Sequence, residues 1–211
     1  MQHLANERTP PPGRLSSPGE SANPQPASDA ILEQACTLLA WLRLGNSAET
    51  YPLTGLIPTK ILIRLLQAAG LLNDANQPQP EEVRTFLGAA PAQALALLVQ
   101  AWQASLGFNE LRLLPGLIFE GNWNNDALTT RQKILAILQQ LPADRWWSLP
   151  AFVAAMKDRQ PDYLRPGGDY DSWFIRREGS ETYLRGFSSW DEVDGALLRF
   201  FITGPLHWLG L

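Results

Sequence analysis

The sequence holds one cysteine, Cys36, and only two histidines, His3 and His207. A single thiol excludes an internal disulfide. So few Cys and His also exclude a structural zinc site, which takes four such ligands. Cys36 falls among Ile31, Leu32, Ala35, Leu38 and Leu39. A free cysteine in such a setting behaves as a small buried apolar residue, and a reducing cytoplasmic location fits it. No run of about 18 apolar residues occurs, so no membrane-spanning helix is expected. No basic stretch followed by an apolar one opens the chain, so no signal peptide is expected. The phosphate-cradling G-x-x-x-x-G-K-[ST], the G-x-S-x-G elbow, H-E-x-x-H and paired CxxC are all missing. The expectation is a protein that is not an enzyme, with no cofactor, no metal and no small-molecule substrate. A positive excess is missing too. Lys and Arg number 17 against 21 Asp and Glu, a net charge of −4. Phosphate contacts require cations, so the charge argues against a strongly basic nucleic-acid protein.

Large apolar rings are plentiful. Hydrophobic residues make up 45% of the 211, with eight Trp and eight Phe. Each such ring removes roughly 150–250 Å² from water, enough for a sizeable core. The length suggests one or two domains. Residues 1–28 read as a disordered tail. Pro10, Pro11, Pro12, Pro18, Pro24 and Pro26 lie among Ser, Gln, Asn and Gly with no aromatic. Such a segment cannot offset its ordering entropy. The triple proline could serve as a polyproline ligand, but a plain linker is the preferred reading.

Residues 29–126 read as a helical subdomain. Ser28 or Asp29 can cap a first helix carrying Ile31, Leu32, Ala35, Leu38, Leu39 and Leu42 at helical spacing. Pro58 opens a second, with Ile61, Leu62, Leu65 and Leu66 on one face. A short helix follows Glu81 and Glu82. A longer one follows Pro91, with Leu95, Leu98, Val99 and Trp102 on one side. Asn109 to Leu114 is either a short strand or a turn. Residues 127–211 read as a winged-helix-like domain. Thr129 with Gln132 forms a capping box, and Ser148 caps the next helix. WFIRR and ETYLRG, separated by Glu178, Gly179 and Ser180, read as a β-hairpin. Ser189 with Glu192 forms another capping box before Val193, Leu197, Phe200 and Phe201. Gly204 and Pro205 end that helix. The expected fold class is thus mainly α: a winged-helix-type domain with a short hairpin, preceded by a helical subdomain.

The charge is unevenly shared. Residues 29–126 carry 5 basic and 9 acidic groups, and residues 127–187 carry 9 and 7. The mild positive excess centres on the hairpin. Arg176, Arg177 and Arg185 lie on it, Arg165 just before it, and Lys157 and Arg159 at the end of the preceding helix. Arginine offers planar, multidentate contact to phosphate, and neighbouring Trp173 and Tyr183 could stack on bases. The alternative is a solvated hairpin whose arginines pair with Glu178, Glu181 and Asp171. Only DYLR separates Pro161 from RPGG, so the second helix of a DNA-reading helix-turn-helix looks truncated. Contact to backbone phosphate or to protein is therefore favoured over base readout. Trp146 and Trp147 are adjacent and point to opposite faces of an extended chain. One suits the core and the other, like Trp173, a partner surface. Asp162, Asp169 and Asp171 surround Gly167 and Gly168, where aspartate usually bonds its own turn.

The run RWWSLPAFVAAMKDRQPDYLRPGGDYDSWFIRREGSETYLRGFSSWDEVDGALLRFFITGPLHWLGL resembles the winged-helix region of bacterial helicase-associated, XPB-like proteins. LTGLIPTKILIRLLQAAGLL and ALLVQAWQASLGFNELRLLPGL are similar to the same family's N-terminal part. The resemblance spans residues 30–211 and rests on apolar, structural motifs. It implies a DNA-associated or helicase-partner role and supplies no catalytic residue. In that family the chain continues past GPLHWLGL into a further strand. The present sequence is then a fragment, or a partner completes the ribbon. The leading reading is a non-enzymatic nucleic-acid-associated or helicase-accessory module contacting backbone phosphate; the alternative is a protein-interaction adaptor that binds no nucleic acid.

Overall fold

The computed structural model describes residues 10–20, 25–52 and 55–211. His3 lies outside them. The architecture is mainly helical with a two-stranded antiparallel ribbon. Helices α1 (Ala30–Arg43), α2 (Thr59–Ala68), α3 (Pro80–Gly88) and α4 (Pro91–Ala104) come first. Strand β1 (Leu117–Glu120) follows, then α5 (Ala127–Leu138), α6 (Leu149–Arg159), β2 (Phe174–Arg177) and α7 (Trp190–Phe201). No described helix is long and apolar enough to cross a membrane.

The apolar stripes anticipated from 3.6-residue spacing face the interior. Helix α1 buries Ile31, Ala35, Leu38, Leu39 and Leu42, and α2 buries Ile61, Leu62, Leu65 and Leu66. Cys36 is half-buried on the flank of that stripe. Proline occupies the first turn of α3, α4 and α6, where its missing N–H costs nothing. Asn109 to Leu114 forms a 3-10 turn at Leu111–Leu113, the turn of the two alternatives.

The caps depart from expectation at two helices. Helix α5 begins at Ala127, two residues before Thr129, because Asp126 caps it, accepting from the Thr129 amide (2.9 Å) and hydroxyl (2.7 Å). A carboxylate at a helix N-terminus also benefits from the dipole, so it displaces the threonine box. At α7 the Ser189 hydroxyl turns back to the Arg185 carbonyl (2.9 Å) and caps nothing, while Glu192 pairs with Arg177. Ser148 caps α6 as expected, accepting from the Ala151 amide. After Phe201 the chain widens into one π-type turn, Ile202–Leu206, which holds Pro205 and kinks at Gly204, where the backbone leaves helical values.

The ribbon differs more deeply. The principal partner of β2 is β1, in the register Leu117↔Arg177, Ile118↔Arg176, Phe119↔Ile175 and Glu120↔Phe174. The ETYLRG segment contributes only the bridge Arg176↔Tyr183 and the bond from the Leu184 amide to the Ile175 carbonyl (2.7 Å). This pairing crosses the expected 126/127 division. So does the core: Trp102 on α4 meets Phe201 on α7 with ring centroids 5.3 Å apart. Buried apolar residues from Ile31 to Leu209 form one cluster.

The proline-rich tail also departs from expectation. Of its described residues, 10–20 and 25–28, the stretch around Leu15 pairs antiparallel with Trp146–Ser148. The Ser16 amide donates to the Trp146 carbonyl (2.8 Å) and the Ser148 amide to the Arg14 carbonyl (3.0 Å). Composition misleads here because the segment is held by main-chain pairing and by the polar side chains of Trp147, Ser148 and Arg159, and proline has already surrendered much of the freedom that ordering would remove.

Candidate interaction surface

Strand alternation decides what the ribbon presents. Ile175 points inward and is fully buried with Leu184, whereas Phe174 points outward. Phe174 meets Tyr183 edge-on, with centroids 5.3 Å apart. The Arg185 guanidinium lies over both rings, 5.2 Å from Phe174 and 5.5 Å from Tyr183. No carboxylate among the described residues pairs with Arg185. The Tyr183 hydroxyl donates to Glu120 (2.8 Å), and that bond pushes its pKa upward.

The remaining cations of the expected phosphate site are engaged elsewhere. Arg165 is 2% exposed, and its guanidinium meets Asp194 on α7 at 3.1 Å while lying over Tyr170 and Trp173. It cannot reach a phosphate. Burial pushes the Asp194 carboxyl up to about 6, outweighing the pull of Arg165. Arg176 clasps Glu120 through Nε (2.8 Å) and Nη2 (2.7 Å). Those bonds hold the Glu120 carboxyl below its ordinary range. Arg177 makes a two-pronged pair with Glu192, each bond 2.6 Å. Lys157 pairs with Asp191. Arg159 donates to the Pro10 carbonyl (3.1 Å). The sequence placed these six cations near one another. The fold gives five of them protein partners and leaves Arg185 with aromatic rings alone.

The tryptophans divide likewise. Trp173 is buried and stacks on Trp123 at 4.7 Å, with planes 10° apart, so it offers nothing to a partner. Trp147 is half-buried under the tail, and its indole N–H donates to the Pro12 carbonyl (2.7 Å). Trp146 is 63% exposed, the most open of the three.

Between α6 and β2 the chain makes two 3-10 turns, Pro161–Tyr163 and Pro166–Gly168, in place of a recognition helix. Gly167 and Gly168 both take positive φ there, +72° and +68°, which a right-handed helix cannot contain. The aspartates of this loop bond locally. Asp169 accepts from the amides of Asp171 and Ser172, Asp171 from the Gly186 amide, and Asp162 from the Tyr170 hydroxyl. His207 contacts the Gln25 carbonyl (3.1 Å) and anchors the chain leading into α1.

Several important carboxylates escaped sequence reasoning. Asp194 lies on the apolar face of α7 beside Trp190, Val193 and Leu197, and that misplaced acid was a readable signal. Arg131 interrupts the buried face of α5 in the same way. Glu120 gave no local sign, since its partner Arg176 is 56 positions away. No protein family, no curated protein and no solved structure matches this chain.

Proposed function

We propose that this chain is a docking module for another protein, the adaptor reading, and that its contact surface is the outer ribbon face formed by Phe174, Tyr183 and Arg185. The observation that carries this is the unpaired Arg185 guanidinium resting on two partly exposed rings. Arginine and tyrosine are enriched where partners bind tightly, and rings already held by a cation lose little freedom on contact. Charge argues against a phosphate surface. Arg176, Arg177 and Arg185 share the ribbon region with Glu120, Glu178 and Glu181, so little counterion release is available to drive DNA binding. Helices α5, α6 and α7 with the ribbon fit a winged-helix-type arrangement lacking its reading helix. That fits the resemblance to helicase-associated proteins through a protein contact rather than a base contact. The free Cys36 fits a cytoplasmic setting.

Fluorescence anisotropy with labelled single-stranded and duplex DNA, at roughly 50 and 200 mM salt, separates the two readings. The adaptor reading expects weak binding indifferent to Arg185→Glu. It also expects a photo-crosslinker placed at Thr182 to capture one protein species, lost on Phe174→Ala and Arg185→Ala. DNA binding that falls by about 100-fold or more across that salt range and vanishes in Arg185→Glu would overturn it.

A further inference from the structure

The best-defined recognition geometry on the molecule is where the chain meets its own tail. Pro12 is buried, and its carbonyl receives the Trp147 indole N–H (2.7 Å). An aromatic donor reading a proline carbonyl is the chemistry of proline-rich peptide recognition, here on a chain that bends at Pro12 and Gly13 and turns again before Glu20. Gly13 follows with φ +89°. A Cβ there would stand 2.8 Å from the Phe152 nitrogen and 2.9 Å from its Cα, both backbone atoms. Only glycine satisfies both the conformation and the space. Leu15 then pairs with Trp147 as an antiparallel bridge, flanked by the two main-chain bonds to Trp146 and Ser148. Finally Glu20 reaches the N-terminus of α6. It accepts from the Ser148 hydroxyl (2.6 Å) and is oriented by Arg14 (2.8 Å) and the Ser17 amide (2.7 Å). Each contact reads a different feature: a proline carbonyl, a glycine, a main-chain pairing that leaves the Leu15 side chain exposed, and a carboxylate at a helix dipole. Pro10–Glu20 buries few apolar side chains. Deleting the segment would therefore uncover a formed site without removing core.

We propose that Trp147, Ser148 and Phe152 form a peptide-binding site specific for a Pro-Gly segment that pairs through its main chain and then turns to present a carboxylate, and that Pro10–Glu20 occupies it in cis as a displaceable intramolecular ligand. A segment of that chemistry on another protein gains access only by displacing the tail. The site uses other residues than the ribbon face and stands or falls apart from it.

The test uses the full chain and a labelled peptide of residues 10–20, read by anisotropy. A Gly13→Val chain has its own tail released, and is expected to bind the peptide about tenfold or more tightly than the unchanged chain. A peptide carrying the same valine is expected not to bind. Adding Trp147→Phe to the released chain keeps a ring and removes the donor, and is expected to weaken binding by about fivefold or more. If Gly13→Val fails to fold, an Arg14→Ala/Glu20→Ala chain, altered only at exposed positions, serves as the released form. Equal peptide binding by released and unchanged chains would overturn the proposal, as would equal binding of the native and valine peptides. A sedimentation result in which the unchanged chain is a dimer with exchanged tails would also overturn it, because the occupant would then be a second copy.

Discussion

The guanidinium of Arg131 is wholly buried and faces the carboxylate of Glu110, with Nε 2.7 Å from Oε1 and Nη2 3.0 Å from Oε2. The same guanidinium donates to the Ser105 and Phe108 carbonyls, and the Trp102 indole N–H donates to Glu110 (2.9 Å). This cluster ties α4 and α5 together through the irregular segment between them, whose own side chains offer no periodic face to pack.

Breaking such a pair leaves a charge uncompensated in the interior. Glu110→Gln and Arg131→Met are each expected to lower stability by about 3–5 kcal/mol. Urea denaturation followed by circular dichroism measures this. A loss under about 1 kcal/mol for both would mean that water reaches the pair.

Arg165 and Asp194 make the second buried pair, with Arg165 Nη1 left without a partner. Asp194→Ala is expected to cost about 3–5 kcal/mol, while Asp194→Leu combined with Arg165→Met recovers most of it. A double-mutant cycle on thermal unfolding reads the coupling. Additive losses would show that the two groups do not depend on each other.

Arg185→Ala is expected to change stability by no more than about 1 kcal/mol, the scale of an exposed cation–π contact. The same substitution is expected to abolish partner capture at the ribbon. Denaturation and crosslinking on one preparation compare the two effects. A large stability loss would make Arg185 a structural residue.

The tail contact carries a pH dependence of definite sign. Arg14 first, then Ser148 and Ser17, hold the Glu20 carboxyl well below its ordinary value of 4.5. A depressed acid contributes stability above its free pKa, and loses it as pH falls. Amide hydrogen exchange at Ser16 and Ser148 is therefore expected to show protection at pH 6 that declines relative to the α1 core below about pH 4.5. Unchanged relative protection at pH 3 would show that Glu20 does not hold the tail.

Much of this protein was readable from local pattern. The stripe Ile31, Ala35, Leu38, Leu39 and Leu42, and that of Ile61, Leu62, Leu65 and Leu66, needed only the 3.6-residue repeat to be assigned to helices facing a core. Proline at the start of α3, α4 and α6, Ser148 as a cap, and Gly167–Gly168 as a break in the chain were equally local. The candidate site was less legible. Arg176 and Arg177 read either as phosphate contacts or as partners of Glu178, Glu181 and Asp171, but their carboxylates are Glu120 and Glu192, one from a strand outside the expected hairpin and the other from a helix expected to cap itself. The tail was read from composition, which measures side-chain burial and misses backbone pairing.

The amino-acid sequence by itself determined which stretches coil, which faces of those coils are apolar and where the chain turns, because these follow from periodicity and from the backbone limits of proline and glycine. Only the tertiary structure decided that β1 would take β2, that Arg165 would go inside while Arg185 stayed out, and that Pro12 would lie under Trp147. Those outcomes join residues far apart in the chain. Each turns on whether a charge or a carbonyl finds its complement nearby, and that proximity exists only after the helices have packed.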